Sequence, residues 1–233
     1  MLTLKLAFRN ILRYKSRSIL CGLSMMGCYV LFSISLGFSE GSYGNLIRML
    51  TDTHSGHVQI HKQDYLERPS LFRNFELTPQ IISRLESHAS LESWTPRVYS
   101  AVLVFKDIKS TISRLTAIDT KQEAMVTNMR EKVRDGIYLS EAAGVKNPVL
   151  IGTQLQKLLN ANTGDEVVFI GQAADGSIAN DLFTVTGIVG KNSEDADARL
   201  IYMTLADAQE FLSLGNRVHE IALRLEDYSK ARF

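Results

Sequence analysis

The sequence predicts an α+β domain carried on one N-terminal transmembrane helix, and three observations point there. Residues 18–39 contain no Asp, Glu, Lys or Arg, and at helical rise that run spans roughly 30 Å, about the hydrocarbon thickness of a bilayer. The segment before it carries Lys5, Arg9, Arg13, Lys15 and Arg17 with no acidic residue, whereas the first charge after it is Glu40. Basic residues are held on the cytoplasmic side, so the N-terminus is expected in the cytoplasm and residues 40–233 outside it. Beyond the helix, period-2 apolar runs and capped helical patterns follow one another to the end of the chain.

Two other readings of the N-terminus compete. A cleaved signal peptide also has a basic start and an apolar run, with Ser33 and Ser35 as small residues for a cleavage site. The run is too long for that, and Leu4, Ala7 or Phe8, Ile11 and Leu12 recur at helical spacing while Lys5, Arg9 and Arg13 fall elsewhere. That is the pattern of a basic helix lying along a membrane surface. A lipoprotein signal ending at Cys21 would leave only Ser18, Ile19 and Leu20 between the last charge and the cysteine.

The net charge of +1 hides a split. Residues 1–17 hold five basic groups and no acidic one, which leaves 21 basic against 25 acidic groups in the remainder. The positive charge belongs to the membrane surface. Nothing basic is left for a nucleic-acid groove, and nucleic acid is excluded as a partner. Both cysteines, Cys21 and Cys28, fall inside the apolar run, so the rest of the chain must be stabilised by packing rather than by disulfides.

After the membrane run, Leu46, Ile47, Met49 and Leu50 keep a helix-compatible spacing, a stalk over 40–55 that Thr51, Asp52 and Thr53 break. Gly56 to His61 alternates as a strand with Val58 and Ile60 on one side. Residues 62–77 are polar and irregular. Thr78-Pro79 starts a helix, with threonine as cap and proline in the first turn, and Ile81, Ile82 and Leu85 on one face. Residues 94–105 and 112–118 read as two strands around the polar turn Lys106 to Ser110, completing a β-α-β-β unit. Residues 121–135 are charged and carry no clear pattern.

A second unit begins at the short apolar runs Gly136 to Leu139 and Pro148 to Ile151. Gly152 to Asn160 is expected to be helical with Leu155, Leu158 and Leu159 on one face. Thr163-Gly164-Asp165 turns into the strand Val167 to Ile170, and Asp175-Gly176 signals a hairpin to Leu182–Val189. The charged loop Lys191 to Arg199 precedes the strand Leu200 to Met203. Thr204 caps a helix with Leu205, Ala208, Phe211 and Leu212 along one side. The last strand, Val218 to Leu225, reads as an edge or surface-facing strand of the sheet.

No catalytic constellation stands out. A GxSxG serine elbow is absent, and Gly187-x-x-Gly190-Lys191 lacks the earlier glycine of a phosphate loop, with Val185 in its place and Asn192 where Ser or Thr would bind magnesium. No cofactor is expected, and ATP chemistry has to come from a partner. His54, His57 and His61 lie close in sequence, yet His57 and His61 would be about 13 Å apart along a strand, too far for one ion. Glu194, Asp195 and Asp197 lack the glycine and distal glutamate of a calcium loop, so no metal site is expected. Within the apolar helix, Cys21, Ser24, Cys28 and Ser35 share a stripe of small side chains, a candidate face for close packing against another membrane helix.

Residues 6–17, LAFRNILRYKSR, resemble the opening of ABC transporter permeases of the MacB, FtsX and LolC/LolE type. Residues 56–61, Ile151-Gly152 with the following helix, Thr163-Gly164-Asp165, and Leu205 to Leu212 with its Ala208-Gln209 pair resemble the exported core domain of those permeases. The resemblance implies a porter-like α+β lobe from residues 56–120 and 201–227, and an inserted β-rich lobe from 121–200. It implies a non-catalytic permease subunit of the cytoplasmic membrane that couples ATP hydrolysis by a cytoplasmic ABC ATPase to movements of its exported domain, as in lipoprotein release or MacB-like export. The implied partners are that ATPase, a second permease copy or homologue, and a lipoprotein or periplasmic protein. Such permeases have four membrane helices, so the sequence is expected to be a fragment of a longer one. The competing expectation is a single-span anchored sensor or binding module.

Overall fold

A computed structural model describes residue 9 and residues 13–50, 56–190 and 199–226, with the side chains of 44–50 excepted. The expected features at Lys5, His54, Thr51 to Thr53 and in the 191–198 loop lie outside the described residues. The chain divides into two compact units, one of residues 1–49 and one of residues 50–233.

The first unit is helix α1, Lys15–Leu50, unbroken over 36 residues. Its part from Lys15 to Tyr43 is long and apolar enough to cross a membrane. The expected span 18–39 lies inside it, and the helix runs on without interruption into the expected stalk. Cys21, Cys28 and the large side chains Leu23, Met26, Leu31 and Phe32 are all exposed.

In the second unit the elements run β1 Val58–His61, β2 Phe75–Glu76, α2 Pro79–Glu86, β3 Leu91–Lys106, β4 Lys109–Ile118, α3 Thr120–Val126 and β5 Val133–Gly136. They continue with β6 Pro148–Gly152, α4 Thr153–Leu159, β7 Glu166–Gln172, β8 Ile178–Val189, β9 Leu200–Thr204, α5 Leu205–Phe211, β10 Arg217–Val218 and β11 Glu220–Leu225. The capping chemistry acts as the sequence predicts. Thr78 accepts from Ile81 N–H, Thr204 accepts from Asp207 N–H, and Asn160 ends α4 in the left-handed conformation that asparagine tolerates. The patternless stretch 121–135 holds α3, whose cap Asp119 accepts from both Lys121 and Gln122 N–H.

Strand pairing follows the order β1-β11-β3-β4-β9-β6-β8-β5, and β7 pairs with both β3 and β8. Through β7 the ladder β3-β4-β9-β6-β8 returns to β3, so these strands form a closed hydrogen-bonded ring. The ring draws β3 and β4 from residues 56–120, β6, β7 and β8 from 121–200, and β9 from the segment after it. Closure removes exposed sheet edges there. Inward residues Val102, Val104, Leu115, Phe169, Phe183 and Ile201 form the main core, with Phe169 and Phe183 stacked at 4.4 Å between centroids.

Two expectations are corrected. β11 is an interior strand, paired with β1 on one side and β3 on the other. Its polar positions looked solvent-facing because Glu220 and Arg224 alternate with Ile221 and Leu223, but Glu220 is 3% exposed and reaches a buried partner. The helix α4 buries Leu155 and Leu159, whereas Leu158 points out and is 51% exposed. One step of 100° from Leu159 carries position 158 off the buried stripe.

That difference can be measured by urea unfolding followed through the single tryptophan, Trp94. Leu155→Ala is expected to cost about 2–5 kcal/mol through transfer and cavity terms, and Leu158→Ala to stay within about 0.5 kcal/mol of wild type.

Candidate functional site

The register of β11, β3, β4 and β9 lays out a patterned sheet face. His61, Glu220, Arg97 and Ile118 stand in one row of cross-strand partners. Tyr99, Thr116 and Tyr202 form the next row, and Ala101, Arg114 and Leu200 the one beyond it. Residues two apart on a strand share a face, so these rows lie side by side. The opposite face is the apolar core.

Over the first row lies α3. Its Glu123 meets Arg97 in a two-pronged pair, Nε to Oε2 at 3.0 Å and Nη2 to Oε1 at 2.7 Å. Thr95 donates to Glu123 Oε2 at 3.1 Å and Thr127 to Oε1 at 2.8 Å. Arg97 Nη1 also donates to Glu220 Oε1 at 2.9 Å, and the Tyr99 hydroxyl donates to Glu220 Oε2 at 3.0 Å. Arg97, Glu123 and Glu220 are 4%, 4% and 3% exposed. Burial by itself would lower the Arg97 pKa, but Glu123, Tyr99 and Glu220 outweigh it and hold the guanidinium firmly charged. Burial first, then the Glu220 charge, keeps the Tyr99 phenol protonated well above its ordinary range. These donors and acceptors satisfy one another, so the network's chemistry is holding and positioning.

On the other side, the loop 62–73 crosses the same face. Tyr65 stacks on His61 at 5.3 Å and tilts against His219 at 5.6 Å. Burial, helped by Glu220, pushes the Tyr65 hydroxyl up to about 12. His219 accepts from Tyr99 N–H at Nδ1, 3.1 Å, so its proton sits on Nε2, which donates to Leu71 O at 2.9 Å. Burial holds this imidazole below its ordinary pKa, against a smaller upward pull from the Leu71 hydrogen bond. The ring thus latches the loop in its neutral form. Between the loop and α3 the middle row stays open as a trough of about 1040 Å³.

The residues expected to matter in the sequence are distributed elsewhere. Arg9, Arg13, Lys15 and Arg17 are exposed near the start of the apolar helix, as are Cys21, Ser24, Cys28 and Ser35 along it. Gly187 lies inside β8, where an added Cβ would meet the carbonyl oxygens of Asp135 and Ile137 at 2.9 Å. It is a close backbone approach rather than part of a phosphate loop. His57 accepts from Leu225 N–H through Nδ1 at 3.0 Å, and His61 turns toward Glu220. Among the described residues, no group of three or more His, Cys, Asp or Glu is placed to hold a metal ion. Arg97, Glu123 and Glu220 were missed because their contacts span 26 and 123 residues of sequence. The signal was a charge next to apolar residues in each of two strands, Arg97 in β3 and Glu220 in β11.

Comparison with solved structures shows the fold. The extracellular domain of the noncanonic ABC-type transporter YknZ from Gram-positive bacteria matches with a TM-score of 0.50 at 12% identity, over 74% of this chain and 84% of that one. The periplasmic region of MacB from Actinobacillus actinomycetemcomitans matches with a TM-score of 0.50 at 18% identity, over 72% and 73%. No protein-family model matches the sequence, and comparison with curated proteins gives no match. The chain carries the MacB-like α+β fold behind one N-terminal apolar helix.

The His219 latch has a pH signature. The unfolded ring titrates near the ordinary value of 6.5 and the folded ring below it, so the unfolded state binds more protons and stability falls as pH drops through and below 6.5. His219→Gln is expected to lose about 1–3 kcal/mol at pH 7.5 and to flatten the decline between about pH 7 and 5 in urea titrations. Parallel declines in both proteins would contradict the latch.

Proposed function

We propose that this chain belongs to an ABC transporter permease, with its N-terminus in the cytoplasm and residues 40–233 outside the cytoplasmic membrane. The observation that carries this reading is the MacB-like fold directly following a helix able to cross a bilayer. The five basic residues before Ser18 support the orientation. A cytoplasmic ABC ATPase supplies the energy, and the permease passes the resulting helix movement to the domain, as in lipoprotein release or MacB-like export. Residues 56–120 with 201–227 act as the porter-like lobe and 121–200 as the inserted one. The subunit itself is non-catalytic.

In this reading α1 packs against another permease helix through Cys21, Ser24, Cys28 and Ser35. Small side chains let two backbones approach closely in lipid, where apolar burial alone gives no preference for protein over acyl chains. Lys5, Arg9, Arg13, Lys15 and Arg17 rest on the anionic inner surface.

Oxidative crosslinking in native membranes tests this arrangement. Cys21 or Cys28 should be trapped against a second permease helix, whereas Met26→Cys and Val30→Cys, on the opposite face in a cysteine-free chain, should stay unlinked. Equal labelling of both faces by a lipid-soluble thiol reagent, with no partner trapped, would favour a single-span anchored sensor.

A further inference from the structure

The trough over the middle row contains an unsatisfied group. Thr116 is 6% exposed, lines the trough, and its Oγ1 has no hydrogen-bond partner. A buried hydroxyl without a partner is destabilising, and native structures keep few of them. The volume, about 1040 Å³, matches the upper end of small-molecule sites, roughly 300–1,000 Å³. Its walls carry the aromatic rings of Tyr65, Tyr99 and Tyr202.

Charge decides what kind of ligand fits. At the inner end one guanidinium, Arg97, stands between two carboxylates, Glu123 and Glu220. Arg97 is engaged by both, so an anion entering there would meet two carboxylates and a cation already shared between them. Glu123 takes four hydrogen bonds. Glu220 Oε2 accepts one from Tyr99, with His61 Nε2 farther off at 3.7 Å. The outer end carries the exposed cations Arg114 and Arg199. A cationic ligand would therefore place its charge inward and its neutral end outward, and the tyrosine faces add cation–π attraction.

We infer that the trough is a binding site for a small organic amine with an apolar body. Its ammonium donates to the Thr116 hydroxyl oxygen in the field of the Glu220 and Glu123 carboxylates, and its apolar part lies against Tyr99 and Tyr202. The inference stands apart from the permease reading, since it rests on this face alone.

Calorimetric titration of the full chain in nanodiscs of zwitterionic lipid, with empty nanodiscs subtracted, tests it with three probes on one three-carbon naphthyl frame: naphthylpropylamine, naphthylpropanol and naphthylpropionate. Saturable binding is expected for the amine, about tenfold or more tighter than for the alcohol, with the carboxylate weakest. Thr116→Val preserves shape and leaves the ion network untouched, and should weaken amine binding about fivefold or more. Glu220→Gln should narrow the amine-to-alcohol ratio; if that variant fails to fold, the Thr116 result decides. An amine that binds no better than the alcohol, or equally well to Thr116→Val, overturns the proposal.

Discussion

Arg97 is the residue the domain is arranged around. A guanidinium 4% exposed in mid-sheet requires partners on every side, because leaving a charge unpaired in the interior costs several kcal/mol. The partners come from elements far apart in sequence: Glu123 on α3 and Glu220 at the start of β11. Satisfying Arg97 therefore places α3 over the sheet and holds β11 against β3. Apolar residues of the same volume would pack there without specifying which helix sits above them. The ion network supplies that direction through the fork of Arg97 on Glu123.

The two faces of β3 and β4 divide the work. Val102, Val104 and Leu115 point into the ring and make the core. Tyr99, Thr116 and Arg114 point the other way and form the trough. The same strands therefore build both the rigid frame and the patterned surface, so the trough's side chains inherit the register of the ring. Only its lateral boundaries are separate: α3 is tied by ions, and the 62–73 loop is held by His219 and by the Tyr65 ring against His61 and His219.

Local chemistry was legible in the sequence. The caps at Thr78 and Thr204, the Asp175-Gly176 hairpin and the apolar helix all depend on neighbours within a few residues, and all form where the pattern places them. The resemblance to MacB-type permeases predicted the fold that the comparisons show. Long-range pairing was not legible. Closure of the ring through β7 and the interior position of β11 depend on contacts between strands far apart in the chain, and the alternation of Glu220 with Ile221 has the same appearance whether the carboxylate faces water or Arg97. Leu158 misled for a local reason, since an apolar residue one 100° step off the buried stripe looks the same in sequence as one on it. The trough was invisible because each of its residues is ordinary alone.

The central claim is that Arg97 joins α3 and β11 to the sheet as one cooperative unit. Hydrogen exchange of the full chain, with and without Arg97→Met, tests it most directly. The account predicts that the variant loses about 3–5 kcal/mol of stability by stranding two buried carboxylates, that amide protection in α3 and β11 falls together, and that adding Glu123→Gln and Glu220→Gln restores part of the loss. A variant that loses less than about 1 kcal/mol, or one in which α3 keeps its protection while β11 opens, would contradict it.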